Sequence, residues 1–192
     1  MHNFGHKLKA ITPLGGYDAQ VDAFPGLTIT ERPDRALASL AARQGSEEQA
    51  ASAAKGLLGM ALPGPAAWSS AGDFTAWWMG PDLWMVDAPH DTHELLASQV
   101  KEAVGDAASV VEQTDGWCRF DFEGSRSLDV LERLTNANLR AAEAGVATRT
   151  SIEHVGCFVL CLEAGNKFAI IGPRSSAASL HHALVALAKS VI

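Results

Sequence analysis

The residues that are most able to bind a charged group lie just before the last predicted helix. Gly172-Pro173-Arg174-Ser175-Ser176 places a guanidinium and free backbone amides at a helix start, which suits a carboxylate or a phosphate. The same segment also fits a charged helix turn in which Arg174 pairs with a structural carboxylate of this chain or of a neighbouring one. We favour the second interpretation, because Arg–carboxylate pairs are common without function, and we take Arg174 as a candidate interface residue.

Histidines and cysteines are the other possible ligands or nucleophiles. His90 and His93 have a spacing that occurs in metal sites, but they flank a predicted helix start, which favours a solvated cap. Cys118, Cys157 and Cys161 are an odd number of thiols at spacings that make a poor disulfide framework, so we predict small buried apolar residues. The sequence also has no glycine-rich phosphate loop, Gly-x-Ser-x-Gly elbow, His-Glu-x-x-His or Cys-x-x-Cys. It therefore indicates no catalytic, cofactor-binding or metal residue.

Three of the five tryptophans, Trp77, Trp78 and Trp84, lie in one predicted β-hairpin. Large rigid rings concentrate binding energy at protein interfaces, although they are equally typical of a core. Adjacent residues on a strand point to opposite faces, so Trp77 and Trp78 cannot share one core. Together with Arg174, these tryptophans are the candidate interface residues.

Composition limits the class of protein. A chain of 192 residues is long enough for one large domain or two small fused ones. The net charge of −7 and the pI of about 5.4 argue against binding to nucleic acid or to an anionic membrane surface. Because the amino end lacks the apolar stretch of a signal peptide, we expect a cytoplasmic protein.

The order of predicted elements suggests an internal duplication. Residues 74–86 and residues 157–171 each read as an apolar hairpin, and a helix follows each one. We predict an α+β fold with two pseudo-repeated β-α-β-β-α-β units and antiparallel sheets. The approximate halves are 27–113 and 114–192 of one duplicated domain, and residues 1–26, which lack any periodicity, form an extended N-terminal arm.

Several motifs, taken in order, carry a family resemblance. They are Pro13-Leu14-Gly15-Gly16, Thr114-Asp115-Gly116-Trp117, Ala147-Thr148-Arg149-Thr150, and Gly172 to Ala177 continuing through Leu180-His181-His182-Ala183-Leu184. Over nearly the whole chain, the sequence resembles the gamma subunit of bacterial heterotetrameric sarcosine oxidase. That family is similar in fold to the folate-binding aminomethyltransferase of glycine cleavage.

The resemblance implies a non-catalytic subunit that supports assembly of an αβγδ flavoenzyme. This complex oxidatively demethylates sarcosine to glycine and passes the one-carbon unit to tetrahydrofolate. The implied partners are the alpha, beta and delta subunits, which hold FAD, FMN, NAD and zinc, with no cofactor in this chain.

Two other functions stay open. One is a folate-binding or aminomethyltransferase-like protein acting alone, and the other is the equivalent subunit of a related N-methyl amino-acid dehydrogenase. The length of the chain weighs against the first, because a complete aminomethyltransferase carries an additional C-terminal domain.

Overall fold

The computed structural model describes residues 9–192, which form two antiparallel sheets and four α-helices. The strands are β1 (Val21–Phe24), β2 (Leu27–Glu31), β3 (Arg35–Ala42), β4 (Trp68–Ala71), β5 (Phe74–Gly80), β6 (Leu83–Pro89), β7 (Ala108–Glu112), β8 (Trp117–Glu123), β9 (Ala147–Ile152), β10 (Val155–Glu163) and β11 (Lys167–Pro173). The helices are α1 (Glu47–Leu58), α2 (Leu96–Val104), α3 (Ser127–Leu134) and α4 (Ala177–Val191).

The two sheets repeat one strand order. The first sheet runs β4-β5-β6-β3-β7, and the second runs β9-β10-β11-β8-β2 with β1 added at its edge. In each unit a strand leads to a helix, then to three strands and a second helix. The predicted α+β class with duplicated antiparallel units is therefore confirmed, with one more strand per unit than predicted.

The closing strand of the second sheet comes from the other end of the chain. β7 closes the first sheet beside β3, and β2 takes the same position beside β8. The predicted half 27–113 is therefore wrong at its start, because residues 27–31 belong to the second sheet. The predicted arm is also too long, since β1 pairs with β2 within residues 21–30; its first eight residues lie outside the described part of the chain.

Alternating side chains divide the molecule into four layers. In β8, Cys118, Phe120 and Phe122 face the core beneath α3 and α4, whereas Arg119 and Asp121 point the other way, as the period-two pattern predicts. The first sheet packs in the same manner against α1 and α2. A third core lies between the sheets and contains Leu37, Trp77, Met85, Ala147, Phe158, Leu160, Ala169 and Ile171.

The sheets also meet along the backbone. Ala67 and Val146 form an isolated antiparallel bridge, and the amide of Trp68 donates to the carbonyl oxygen of Gly145 at 2.8 Å. These contacts join β4 to β9, so the two units are held together by main-chain hydrogen bonds as well as by apolar packing.

The helices of residues 9–192 are all too short or too polar to cross a bilayer.

Candidate functional site

A cavity of about 240 Å³ lies between the two sheets. The first sheet contributes Arg35, Leu37, Trp77 and Asp87, the second contributes Trp117, Arg119 and Ile171, and the segment before β1 contributes Ala10, Ile11 and Pro13. The cavity therefore combines aromatic and aliphatic walls with guanidinium groups, a composition typical of small-molecule sites.

Asp87 is the centre of an ion network beside this cavity. Its carboxylate is only 1% exposed and accepts hydrogen bonds from Nε of Arg35 at 3.0 and 3.1 Å. Nη1 of Arg119 lies 3.7 Å from the other side of the same carboxylate. Because Arg35 and Asp87 belong to the first sheet and Arg119 to the second, this contact links the sheets electrostatically.

The network continues through Asp121. Arg119 donates to both oxygens of Asp121, from Nε at 2.7 Å and from Nη2 at 3.2 Å. Arg32, in the segment between the two sheets, donates to Asp121 at 3.1 Å and to Asp34 at 2.8 and 3.0 Å. The hydrogen bond from Arg32 lowers the pKa of Asp34 below its usual value. The buried carboxylates of Asp87 and Asp121 are thus each paired with guanidinium groups.

Sequence analysis missed this network, although two signals were present. Asp87 follows the apolar residues Met85 and Val86 within one strand, and a buried carboxylate requires a cationic partner. Arg119 and Asp121 alternate with the core residues of β8 and so had to face a second surface. What the sequence does not give is the pairing between residues that lie 52 and 89 positions apart.

Trp77, which lines the cavity, carries an unpaired buried donor. Its side chain is 0% exposed, and its Nε1–H has no hydrogen-bond partner within residues 9–192. The hydroxyl of Thr114, another lining residue, accepts from the amide of Leu37 at 3.0 Å, which leaves its own hydrogen available. A buried indole N–H without a partner destabilises the folded chain. Its occurrence in a residue that lines the cavity marks the cavity as a candidate ligand site.

The segment of residues 10–14, here named the strap, covers one side of the cavity. Nη2 of Arg174 donates to the carbonyl oxygen of Ile11 at 2.9 Å. The carboxylate of Glu31, 1% exposed, accepts from the amide of Leu14 at 2.9 Å and from that of Gln20 at 3.0 Å. This part of the predicted arm therefore packs against its own domain.

Arg174 pairs with a carboxylate, as the favoured interpretation of the sequence predicted. Its Nη1 lies 3.5 Å from the exposed carboxylate of Asp115 in the same chain, so it does pair with a carboxylate. It also lines the cavity, which the sequence did not indicate.

The tryptophan-rich hairpin is not one exposed patch. Trp77 is in the core between the sheets, so its prediction as an interface residue is wrong for the folded chain. Trp84 packs towards α1 and α2, and its Nε1 donates to the carbonyl oxygen of Pro63 at 2.8 Å. Trp78 pairs across the hairpin with Trp84, and both remain half-buried.

The cysteines and histidines lie where packing explains them. All three thiols are buried and free, and burial raises the pKa of Cys118 to about 12 and that of Cys157 to about 11. His93 contacts the hydroxyl of Thr92 at 2.9 Å, whereas His90 lines the cavity. Within residues 9–192, no three His, Cys, Asp or Glu residues come together as a metal site.

No protein-family model and no curated protein sequence matches this chain. Among solved structures, a chain of the heterotetrameric sarcosine oxidase from Corynebacterium sp. U-96, in complex with pyrrole 2-carboxylate, has a similar fold. Its TM-score is 0.75 at 20% sequence identity, over 90% of this chain and 88% of that one.

The glycine cleavage system aminomethyltransferase T from Bartonella henselae is similar at a TM-score of 0.66 and 10% identity, over 93% of this chain. The match covers 57% of the aminomethyltransferase, so this chain spans little more than half of that enzyme. These similarities establish the fold that the two proteins share with this chain.

Proposed function

We propose that this chain is the gamma-type subunit of a cytoplasmic heterotetrameric sarcosine oxidase, with a role in assembly rather than in catalysis. The observation that carries the proposal is the match to a chain of such a complex over 90% of one chain and 88% of the other. The aminomethyltransferase shares the fold at a lower TM-score and lower identity, 0.66 and 10% against 0.75 and 20%.

The sequence motifs support the same proposal independently of the fold. In this reading alpha, beta and delta subunits are the partners, and FAD, FMN, NAD and zinc belong to them. The complex would demethylate sarcosine to glycine and transfer the one-carbon unit to tetrahydrofolate.

Exposed apolar side chains indicate where a partner subunit could bind. Of the five large hydrophobic residues exposed within residues 9–192, three lie close together in the sequence: Ile11 is 53% exposed, Tyr17 71% and Val21 58%. The other two, Leu95 and Val111, lie far from this segment in the sequence. Exposed apolar area is typical of interaction surfaces, so we propose the segment of residues 11–21 as the partner interface.

The experiment is an affinity purification of the tagged full chain from its native cells, with subunit masses and the visible absorption spectrum of the eluate. We expect two large chains, one small chain and flavin absorbance. A colourless chain that elutes alone and binds tetrahydrofolate would favour the independent folate protein. A flavoprotein complex that oxidises another N-methyl amino acid, but not sarcosine, would favour the related dehydrogenase.

Matched variants test the surface. Tyr17→Ser with Val21→Thr should reduce recovery of the large subunits, whereas Leu95→Ser with Val111→Thr removes similar exposed apolar groups and should not. Equal recovery with both variants would place the interface elsewhere on the chain.

A further inference from the structure

We propose that the cavity between the sheets binds a small organic carboxylate with an apolar or aromatic body. This site belongs to the chain itself and does not depend on which complex the chain joins. At about 240 Å³, the cavity is at the small end of ligand pockets, which excludes large cofactors as complete occupants.

The buried polar groups that stay unpaired around the cavity are donors. Within the described part of the chain, no hydrogen bond is donated by Nε1 of Trp77, by Nη1 of Arg35 or by Nη1 of Arg119. The Nη1 of Arg119 is 3.7 Å from the carboxylate of Asp87. The carboxylates of Asp87 and Asp121, by contrast, already accept hydrogen bonds from arginines. A molecule that satisfies this site must therefore present acceptors.

Charge-assisted hydrogen bonding makes a carboxylate the favoured acceptor. The residues that line the cavity include four guanidiniums, from Arg32, Arg35, Arg119 and Arg174, and only two carboxylates, from Asp87 and Asp115. Asp34 and Asp121, which balance the network, are not among the lining residues. Hydrogen bonds between guanidinium and carboxylate are about twice as strong as neutral ones, so an anionic ligand gains more than a neutral one of the same shape.

The remaining walls fix the rest of the ligand. Leu37, Trp77, Trp117 and Ile171 add apolar surface to the wall of the cavity. The hydrogen bond from Arg174 to Ile11 holds the strap along one side of the cavity. The chemistry of this lining matches a ring or a short branched chain that carries one carboxylate.

Isothermal titration calorimetry of the purified full chain with benzoate tests the proposal, with benzamide as a neutral molecule of the same shape. We expect benzoate to bind at one site per chain and benzamide to bind at least tenfold more weakly, because a charge-assisted hydrogen bond is lost. Absence of benzoate binding up to about 50 mM, which corresponds to an affinity weaker than any useful site, would overturn the proposal. Equal binding of the two probes would overturn the role of the guanidiniums.

Two matched variants locate the site. Trp77→Phe keeps a large ring but removes the unpaired N–H, and it should weaken benzoate binding by about tenfold. Trp84→Phe also removes one indole N–H, but that group donates to Pro63 away from the cavity, so binding should not change. If the two variants weaken binding equally, or if neither weakens it, the assignment of the site to this cavity fails. The comparison of benzoate with benzamide uses the unchanged chain, so it tests the proposal even if Trp77→Phe does not fold.

Discussion

Replacement of Asp87 by asparagine tests whether the ion network holds the two sheets together. The change keeps the shape of the side chain but removes the charge that two guanidiniums share. Asp87 is 1% exposed and its partners Arg35 and Arg119 are 16% and 14% exposed, so the guanidiniums cannot recover full hydration. Loss of one partner from a buried ion pair costs about 3–5 kcal/mol, and we expect about 3 kcal/mol because asparagine still accepts one hydrogen bond.

Thermal and urea unfolding of the purified chain measure this loss. For a chain of this size, about 3 kcal/mol corresponds to a fall in Tm of about 6–12 °C. Glu132→Gln is the matched control, because Arg140 also makes a two-point contact with Glu132, but at the surface, where the side chains are 59% and 38% exposed. Solvation and salt screening make such exposed pairs weak, so the control should unfold almost as the unchanged chain does.

A double variant separates loss of charge from loss of packing. Arg35→Met with Asp87→Leu replaces the buried pair by apolar groups of similar volume, and it should recover much of the stability that Asp87→Asn loses. If Asp87→Asn is no less stable than Glu132→Gln, the network does not stabilise the contact between the sheets. If the double variant is less stable than Asp87→Asn, the loss in Asp87→Asn does not come from uncompensated buried charge.

Two further predictions concern the cysteines and the strap. Because burial raises the pKa of Cys118 to about 12 and that of Cys157 to about 11 from an ordinary 9.0, the folded chain at pH 8 should react with a thiol reagent far more slowly than the urea-unfolded chain. Rapid labelling of the folded chain would contradict the burial of these thiols. The contribution of the protonated thiols to stability is complete below pH 9.0 and is lost as the pH rises through about 11 to 12. Glu31→Gln should loosen the strap, since an amide cannot accept from both Leu14 and Gln20 as the carboxylate does, and cleavage by a nonspecific protease within residues 10–20 should accelerate. Glu163→Gln changes an exposed carboxylate and should leave that cleavage unaltered; equal rates in the two variants would show that Glu31 does not hold the strap.

The sequence was most informative where a local pattern determines the structure. Strict alternation in residues 117–122 assigned one set of side chains to a core and the other to a second surface, and the structure has both surfaces. The Leu and Val spacing near the end of the chain likewise matches α4, in which Leu180 and Leu184 are buried. Such patterns arise because a strand or helix must bury one face, whatever its partner is.

The same patterns could not identify partners distant in sequence. The strand at residues 27–31 alternates correctly, but nothing local shows that it pairs with β8 rather than with its neighbour β3. Its assignment to the wrong half followed from sequence proximity. Trp77 was ambiguous for a related reason, since its alternation fixes a face of the sheet but not whether another sheet covers that face.

The ion network and the cavity are consequences of the duplication. Each unit needs one face of its sheet for its helices, so the two remaining faces must cover each other, and they do so with an apolar core beside a charged region. Buried ion pairs are a poor source of net stability compared with apolar packing, so stability alone does not explain why arginines occupy this interface. What the network does provide is guanidinium nitrogens held in fixed positions in the wall of the cavity that Trp77 also lines. The two roles can be measured separately, because Asp87→Asn should reduce stability, whereas Trp77→Phe should reduce carboxylate binding with the network left intact.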